Sequence, residues 1–164
     1  MADILPRVVA DHFSADAVTD DAIDYIADNL REQDAAEVYA TVGHRQFGGA
    51  IRAALAGSDD AVVFTSAYGE PIAVMGVSTV SFLYNTGSPW MLATPSATRH
   101  RRALISLGRA YTQAMLQHYA VLANHVDVRN AVSVAWLQHI GYRMAKPEPF
   151  GALGLPFYKF QIAR

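Results

Sequence analysis

Cysteine is absent from all 164 residues, which excludes disulfides, thiolate chemistry and cysteine-based zinc or iron–sulfur sites. Charge of one sign is also missing: 13 Lys and Arg face 15 Asp and Glu, for a formal net charge of −2, so there is no electrostatic surplus with which to coat nucleic acid. No apolar run approaches the roughly 20 residues needed to span a bilayer. Met1 to Ala10 lacks the basic-then-apolar order of a secretory leader, and the chain is expected to stay in the cytoplasm or in a particle assembled there. No Gly-x-Ser-x-Gly elbow, P-loop or dinucleotide glycine fingerprint occurs, which leaves hydrolase, NTPase and Rossmann readings without support. The histidines, His12, His44, His100, His118, His125 and His139, form no His-x-x-x-His pattern, so no metal site is expected.

What is present is a chain about half hydrophobic, of a length that suits one domain over 1–164 with a core of its own. Ile4 to Val9 suggests a short first strand broken by Pro6. Thr19 precedes the acidic turn Asp20, Asp21, Asp24 of a helix whose apolar face is Ile23, Ile26, Ala27 and Leu30. Further helices are expected over 34–40 and 44–56, the latter ending near Gly57 and weakened by Gly48 and Gly49. From Ala61 the period becomes that of strands: Ala61 to Ser66 and Ile72 to Val80 flank the turn Tyr68-Gly69-Glu70-Pro71. Asn85 to Pro89 reads as a second turn before a strand at 90–94. Gly76 reads as a strand irregularity and Gly87 as part of the turn. A long helix follows over 97–119, with Leu104, Leu107, Tyr111 and Met115 on its apolar stripe. Final strands fall near 142–145 and 157–162, and Pro147, Pro149, Gly151, Gly154 and Pro156 make a loop between them. The order fits an α+β, or mixed α/β, architecture with a central mixed sheet flanked by helices.

Between Leu122 and Tyr142 the signals are densest. An apolar run ends at Val126, Asn130 suits an N-cap, Val134, Leu137 and Ile140 recur at helical spacing, and Gly141 suits the left-handed position after the last turn. This unit, with Val126, Asn130, Gly141 and Tyr142 in place, resembles the C-terminal half of the GNAT acetyltransferase fold. A wider set is similar to the internal virion or assembly proteins of short-tailed phages, which themselves resemble that fold. It comprises Leu30-Arg31, Asp34, Glu37-Val38, Trp90-Met91-Leu92, Asn124, Val126, Asn130, Trp136-Leu137, Gly141-Tyr142 and Phe157-Tyr158-Lys159-Phe160. The resemblance implies a GNAT-like domain whose partners are other phage proteins, found in the host cytoplasm during assembly and in the virion.

For chemistry, the resemblance implies two departures. GNAT enzymes follow the strand before the long helix with Arg/Gln-x-x-Gly-x-Gly/Ala, where small residues let backbone N–H groups approach the diphosphate of acetyl-CoA. Matching Arg99 to the first position puts Arg102 and Leu104 at the small ones. Many GNAT enzymes also carry an acid tyrosine in the helix after the Asn, and here that position is Leu137. Tyr142 and Tyr111 are substitutes to weigh against ordinary core aromatics. His125, beside Asn124 and near Asp127, is the histidine placed where the resemblance implies two strands part around an acyl group. These departures imply a catalytically degenerate protein with no cofactor. In the alternative, an active N-acetyltransferase, His125, Asn130 and Tyr142 are the catalytic candidates. Arg99, Arg101, Arg102 and Asn130 then contact acetyl-CoA. The cluster Arg99, His100, Arg101, Arg102 and Arg109 reads either as a solvated helix face or as a site for an anion. Trp90 and Trp136 are candidate anchors for a protein partner.

Overall fold

Thr19 starts the first helix, α1 (Asp20–Asp28), by accepting the Ala22 N–H on its side-chain oxygen at 3.2 Å, with Asp20 and Asp21 at the positive end of the helix dipole. Two further helices follow, α2 (Glu32–Val42) and α3 (Phe47–Ala56). This computed structural model describes residues 3–10 and 13–164, so His12 lies outside the described residues.

The strands are β1 (Val8–Ala10), β2 (Phe13–Asp16), β3 (Asp60–Ser66), β4 (Pro71–Ser81), β5 (Thr86–Ala93), β6 (Val121–Asp127), β7 (Arg143–Phe150) and β8 (Leu155–Ala163). They form one eight-stranded mixed sheet in the order β1-β2-β3-β4-β5-β6-β8-β7. All neighbours are antiparallel except β5 and β6. Between those two run a 3₁₀ turn (Pro95–His100) and α4 (Arg101–His118), and α5 (Ala131–Ile140) joins β6 to β7.

Strand alternation divides the core between the two faces of the sheet. Val63 and Val74 meet Ile23, Ile26 and Ile51 of α1 and α3 on one face. Val62, Phe64, Met75 and Val77 meet Leu104, Tyr111 and Met115 of α4 on the other, where Leu137 and Ile140 of α5 join them. Asn130 caps α5 by accepting the Ser133 N–H at 3.3 Å. Gly141 ends it at φ +117°, a conformation that side chains other than glycine rarely adopt.

Several expectations change. The segment 13–16, unassigned in the sequence, is a strand that pairs with both β1 and β3. β5 begins at Thr86, so Gly87 and Pro89 lie inside a strand: Gly87 lies under the Tyr119 ring, and Pro89 falls where β5 no longer pairs with β6. A proline is tolerated where one flank of a strand lacks a ladder partner. Gly76 sits in regular pairing opposite Trp90, whose indole would meet a Cβ there at 2.6 Å. Close approach of the ring, not a bulge, accounts for that glycine. Finally, Pro147 and Pro149 belong to β7, an edge strand with a register shift between Met144 and Pro147, and the expected loop shrinks to residues 151–154.

Candidate functional site, a pocket where two strands part

β5 and β6 pair only at Thr86 with Val121 and at Gly87 with Leu122. Beyond that they separate, and the Asn124 side chain reaches across to donate to the Pro89 carbonyl at 2.9 Å. The gap opens into a pocket of about 240 Å³ walled by Met75, Trp90, Leu92, Trp136, Tyr142 and Phe160. Glu37, Asn124, His125 and Ser133 supply its polar lining.

Helix α2 fixes the width of the gap. Asp34 accepts the Ala93 N–H at the end of β5 at 2.8 Å, and Glu37 accepts the Asp127 N–H at the end of β6 at 3.1 Å. Amide groups at the ends of the parting strands are thus answered by two carboxylates one helical turn apart, a spacing that puts them on one face of α2. Arg31 forks onto Asp34 at 2.9–3.1 Å and donates to the Ser133 hydroxyl at 3.3 Å. The Asn130 amide donates to both Asp34 and Glu37, at 3.1 Å each. Burial pushes the Glu37 carboxyl up to about 7, against the hydrogen bonds from Asn130 and the Asp127 amide.

The sequence candidates fall in distinct places. Asn130 is buried at the centre of this clamp. His125 lines the pocket, stacks on Phe150 with ring centroids 3.9 Å apart, and meets Glu148 at 3.2 Å. Asp127 does not orient it, because its carboxylate is held by Arg129 at 2.6–3.1 Å. Burial raises the Asp127 carboxyl, but the Arg129 side chain and amide outweigh it and keep it below the usual range. Tyr142 is buried, packs edge-on to Phe160 and accepts from the Thr112 hydroxyl at 3.3 Å. Burial pushes its phenol up to about 12. Tyr111 lies away from the pocket and donates to the Pro6 carbonyl at 2.6 Å. Both tryptophans are half-buried pocket walls with their indole N–H groups satisfied, Trp90 by the Ser58 hydroxyl and Trp136 by the Leu104 carbonyl. They are not exposed anchors.

Arg99, Arg101 and Arg102 are exposed and lie outside the pocket lining. Arg99 meets Glu70 at 3.3 Å, and Arg109 donates to the His139 carbonyl at 3.2 Å. Sequence reasoning passed over Glu37, Asp34 and Glu148 as site residues. The first two were visible only as part of the quoted resemblance, and Glu148 stood in the supposed loop.

The fold is that of the GNAT acetyltransferases. A ribosomal-protein-S5-alanine acetyltransferase from Vibrio fischeri superposes with a TM-score of 0.68 at 12% identity, covering 96% of each chain. Spermidine N-acetyltransferase from Vibrio cholerae, solved with CoA and spermine, gives 0.67 at 9% identity, covering 94% of this chain and 96% of that one. No family model and no curated protein matches the chain.

The residues after β5 depart from the small-residue pattern that lets backbone amides approach a diphosphate. No glycine occurs between Gly87 and Gly108, and residues 95–100 close into a 3₁₀ turn that leads directly into α4. Leu104 cannot give way to a small residue, since it is 7% exposed and part of the core. Among the described residues no group of three or more His, Asp or Glu side chains could hold a metal ion.

Proposed function

We propose that this protein uses a GNAT fold for binding rather than for acetyl transfer, and that it acts in assembly of a short-tailed phage particle or as an internal component of it. The observation that carries the loss of acetyl transfer is the run from Arg99 to Leu104, where the positions that the resemblance gives to small residues hold Arg102 and the buried Leu104; the phage role rests on the resemblance. Supporting it, the segments similar to phage internal virion proteins, though scattered through the chain, supply Arg31, Asp34, Glu37, Trp90, Asn124, Asn130 and Trp136 to one clamp and pocket. Its partners are other virion or assembly proteins, met in the host cytoplasm and carried into the particle.

A second reading is an active acetyl-CoA-dependent N-acetyltransferase with an atypical cofactor loop. Glu37 favours it, as a carboxyl group that titrates near neutrality at the pocket wall, and so do the acetyltransferase neighbours. Arg99, Arg101 and Arg102 are then the side chains closest in sequence to the diphosphate position, and His125, Asn130 and Tyr142 the residues to test for catalysis.

Isothermal titration with acetyl-CoA decides between them. The binding reading expects no saturable heat at micromolar concentrations. Micromolar or tighter binding, weakened by Arg99→Gln, Arg101→Gln or Arg102→Gln, overturns it. Quantitative mass spectrometry of purified particles and assembly intermediates then tests the phage role, and absence of the protein from both overturns that part.

A further inference from the structure

From Pro71 to Thr98 the chain carries no Asp, Glu, Lys, Arg or His. Much of this stretch is buried sheet, but the tip of its hairpin is not. Val80, Phe82, Leu83 and Tyr84 are 66%, 91%, 84% and 74% exposed. Among the described residues the other large hydrophobics more than half exposed, Val9 at 91%, Tyr68 at 99% and Val132 at 56%, lie far from these in sequence, and single ones are ordinary on a protein surface. Four within five residues form a patch of the kind that marks an interaction site.

The tip is also held in shape. Asn85 takes the left-handed conformation at φ 48°. Its carbonyl accepts the Ala120 N–H at 2.8 Å and the Val121 N–H at 3.4 Å, tying the turn to the junction of α4 and β6. Within the turn, the Ser81 hydroxyl accepts the Tyr84 N–H at 3.2 Å. Side chains presented on a fixed turn lose less entropy on binding than those on a loose loop.

We infer that the β4–β5 tip is a knob that seats in an uncharged, apolar, concave socket on another virion or assembly protein. The inference rests on the binding role proposed above and names the surface that performs it. Charge argues against a lipid surface. Neighbouring charged groups are engaged internally: Asp59 accepts from Thr79 and Tyr119, and Arg164 donates to the Leu116, Gln117 and Tyr119 carbonyls. No cation in the hairpin is offered to anionic headgroups. Area argues against a second copy. Consecutive residues of a turn fan outward, so two convex tips touch over only part of each and leave the flanks of the four side chains uncovered, short of the roughly 800 Å² per partner of a stable interface. A concave socket covers the fan from all sides.

The test places a photo-crosslinking amino acid at Leu83 in the full chain, supplied during infection by a phage lacking its own copy. The cross-linked protein is identified by mass spectrometry, produced alone, and titrated at low and high salt with wild type, with the Phe82→Ser/Leu83→Ser double variant and with Tyr68→Ser. The expected result is one virion or assembly protein, bound at least about tenfold more weakly by the double variant, with Tyr68→Ser neutral and salt without effect. Circular dichroism confirms that the variants fold. A cross-link to a second copy, flotation of the chain with phosphatidylglycerol vesicles, no cross-link, or equal affinity of wild type and double variant overturns the inference. If the double variant enters particles as well as wild type does, the knob is wrong and the assembly role stands. If wild type itself associates with no particle or intermediate, the assembly role falls, whatever the titration reads.

Discussion

The clamp around α2 and the basic run after β5 handle charge in opposite ways. Around Asp34, Glu37 and Asn130 the polar side chains are buried or half-buried and answered by a named partner, and the partners include amides at the ends of β5 and β6. At residues 99–102 the basic side chains are exposed, and the ion pair there is Arg99 with Glu70, both reaching toward solvent. A buried carboxylate is stable only when its hydrogen bonds are complete, whereas an exposed arginine requires nothing. The difference teaches where the structure has invested its polar groups. They hold a gap open in the sheet rather than gather an anion at the start of a helix.

Asp34→Ala is the strongest way to break this contrast. It removes the acceptor for Ala93, Asn130 and Arg31 together and strands a guanidinium that is 13% exposed. Breaking a buried pair on one side costs about 3–5 kcal/mol, and urea denaturation should show a loss of that size. A loss under 1 kcal/mol would mean that the clamp is not what holds the gap.

Asn130→Ala should come next, at about 2 kcal/mol, from a lost N-cap and two lost hydrogen bonds to carboxylates. Asn130→Asp separates these parts: it keeps the cap but places a carboxylate against Asp34 and Glu37, so it should destabilise more above neutral pH than below it. Thermal melts at pH 5.5 and 8 check this.

How much of this was legible in the sequence depends on how local each signal is. The Asn130 to Gly141 helix could be read because both of its caps act within a few residues. The mixed sheet followed from strand periods and element order. The second half of β7 was hidden because two prolines speak against a ladder, and only its edge position makes them tolerable. β2 was hidden by its length of four residues. The clamp has no local signature at all, since Asp34 and Asn130 are 96 residues apart and the meaning of each depends on the other. Trp90 and Trp136 misled as anchors because the sequence does not show that Gly76 and Gly108 make room for them inside.

Glu37→Gln sharpens the comparison through pH. Its carboxyl is raised from 4.5 to about 7 in the fold, so the folded state holds the proton more tightly than the unfolded one. The stabilisation is complete below about 4.5 and is lost as pH rises through about 7, on the order of 3 kcal/mol in all. Asp59, Asp60 and Asp127 act in the other direction: their carboxyls are held low, and their contribution is lost on acidification. Wild type should therefore lose melting temperature between pH 6 and 8.5, and Glu37→Gln should flatten that decline while leaving the acid limb in place. An unchanged alkaline slope would show that Glu37 is already ionised in the fold.

The smallest effect is expected at the other segment. Replacing Arg99, Arg101 and Arg102 together by Gln removes three exposed charges and one surface ion pair. Exposed pairs contribute about 0–1 kcal/mol, and four basic residues near the positive pole of α4 offset part of that by mutual repulsion and by opposing the helix dipole. Glutamine keeps good helix propensity. Stability should stay within about 0.5 kcal/mol of wild type in urea, and addition of phosphate or acetyl-CoA should shift the melting temperature of neither protein. A stabilisation of wild type by either ligand that the triple variant loses would mark this segment as an anion site after all, and would erase the contrast with the clamp.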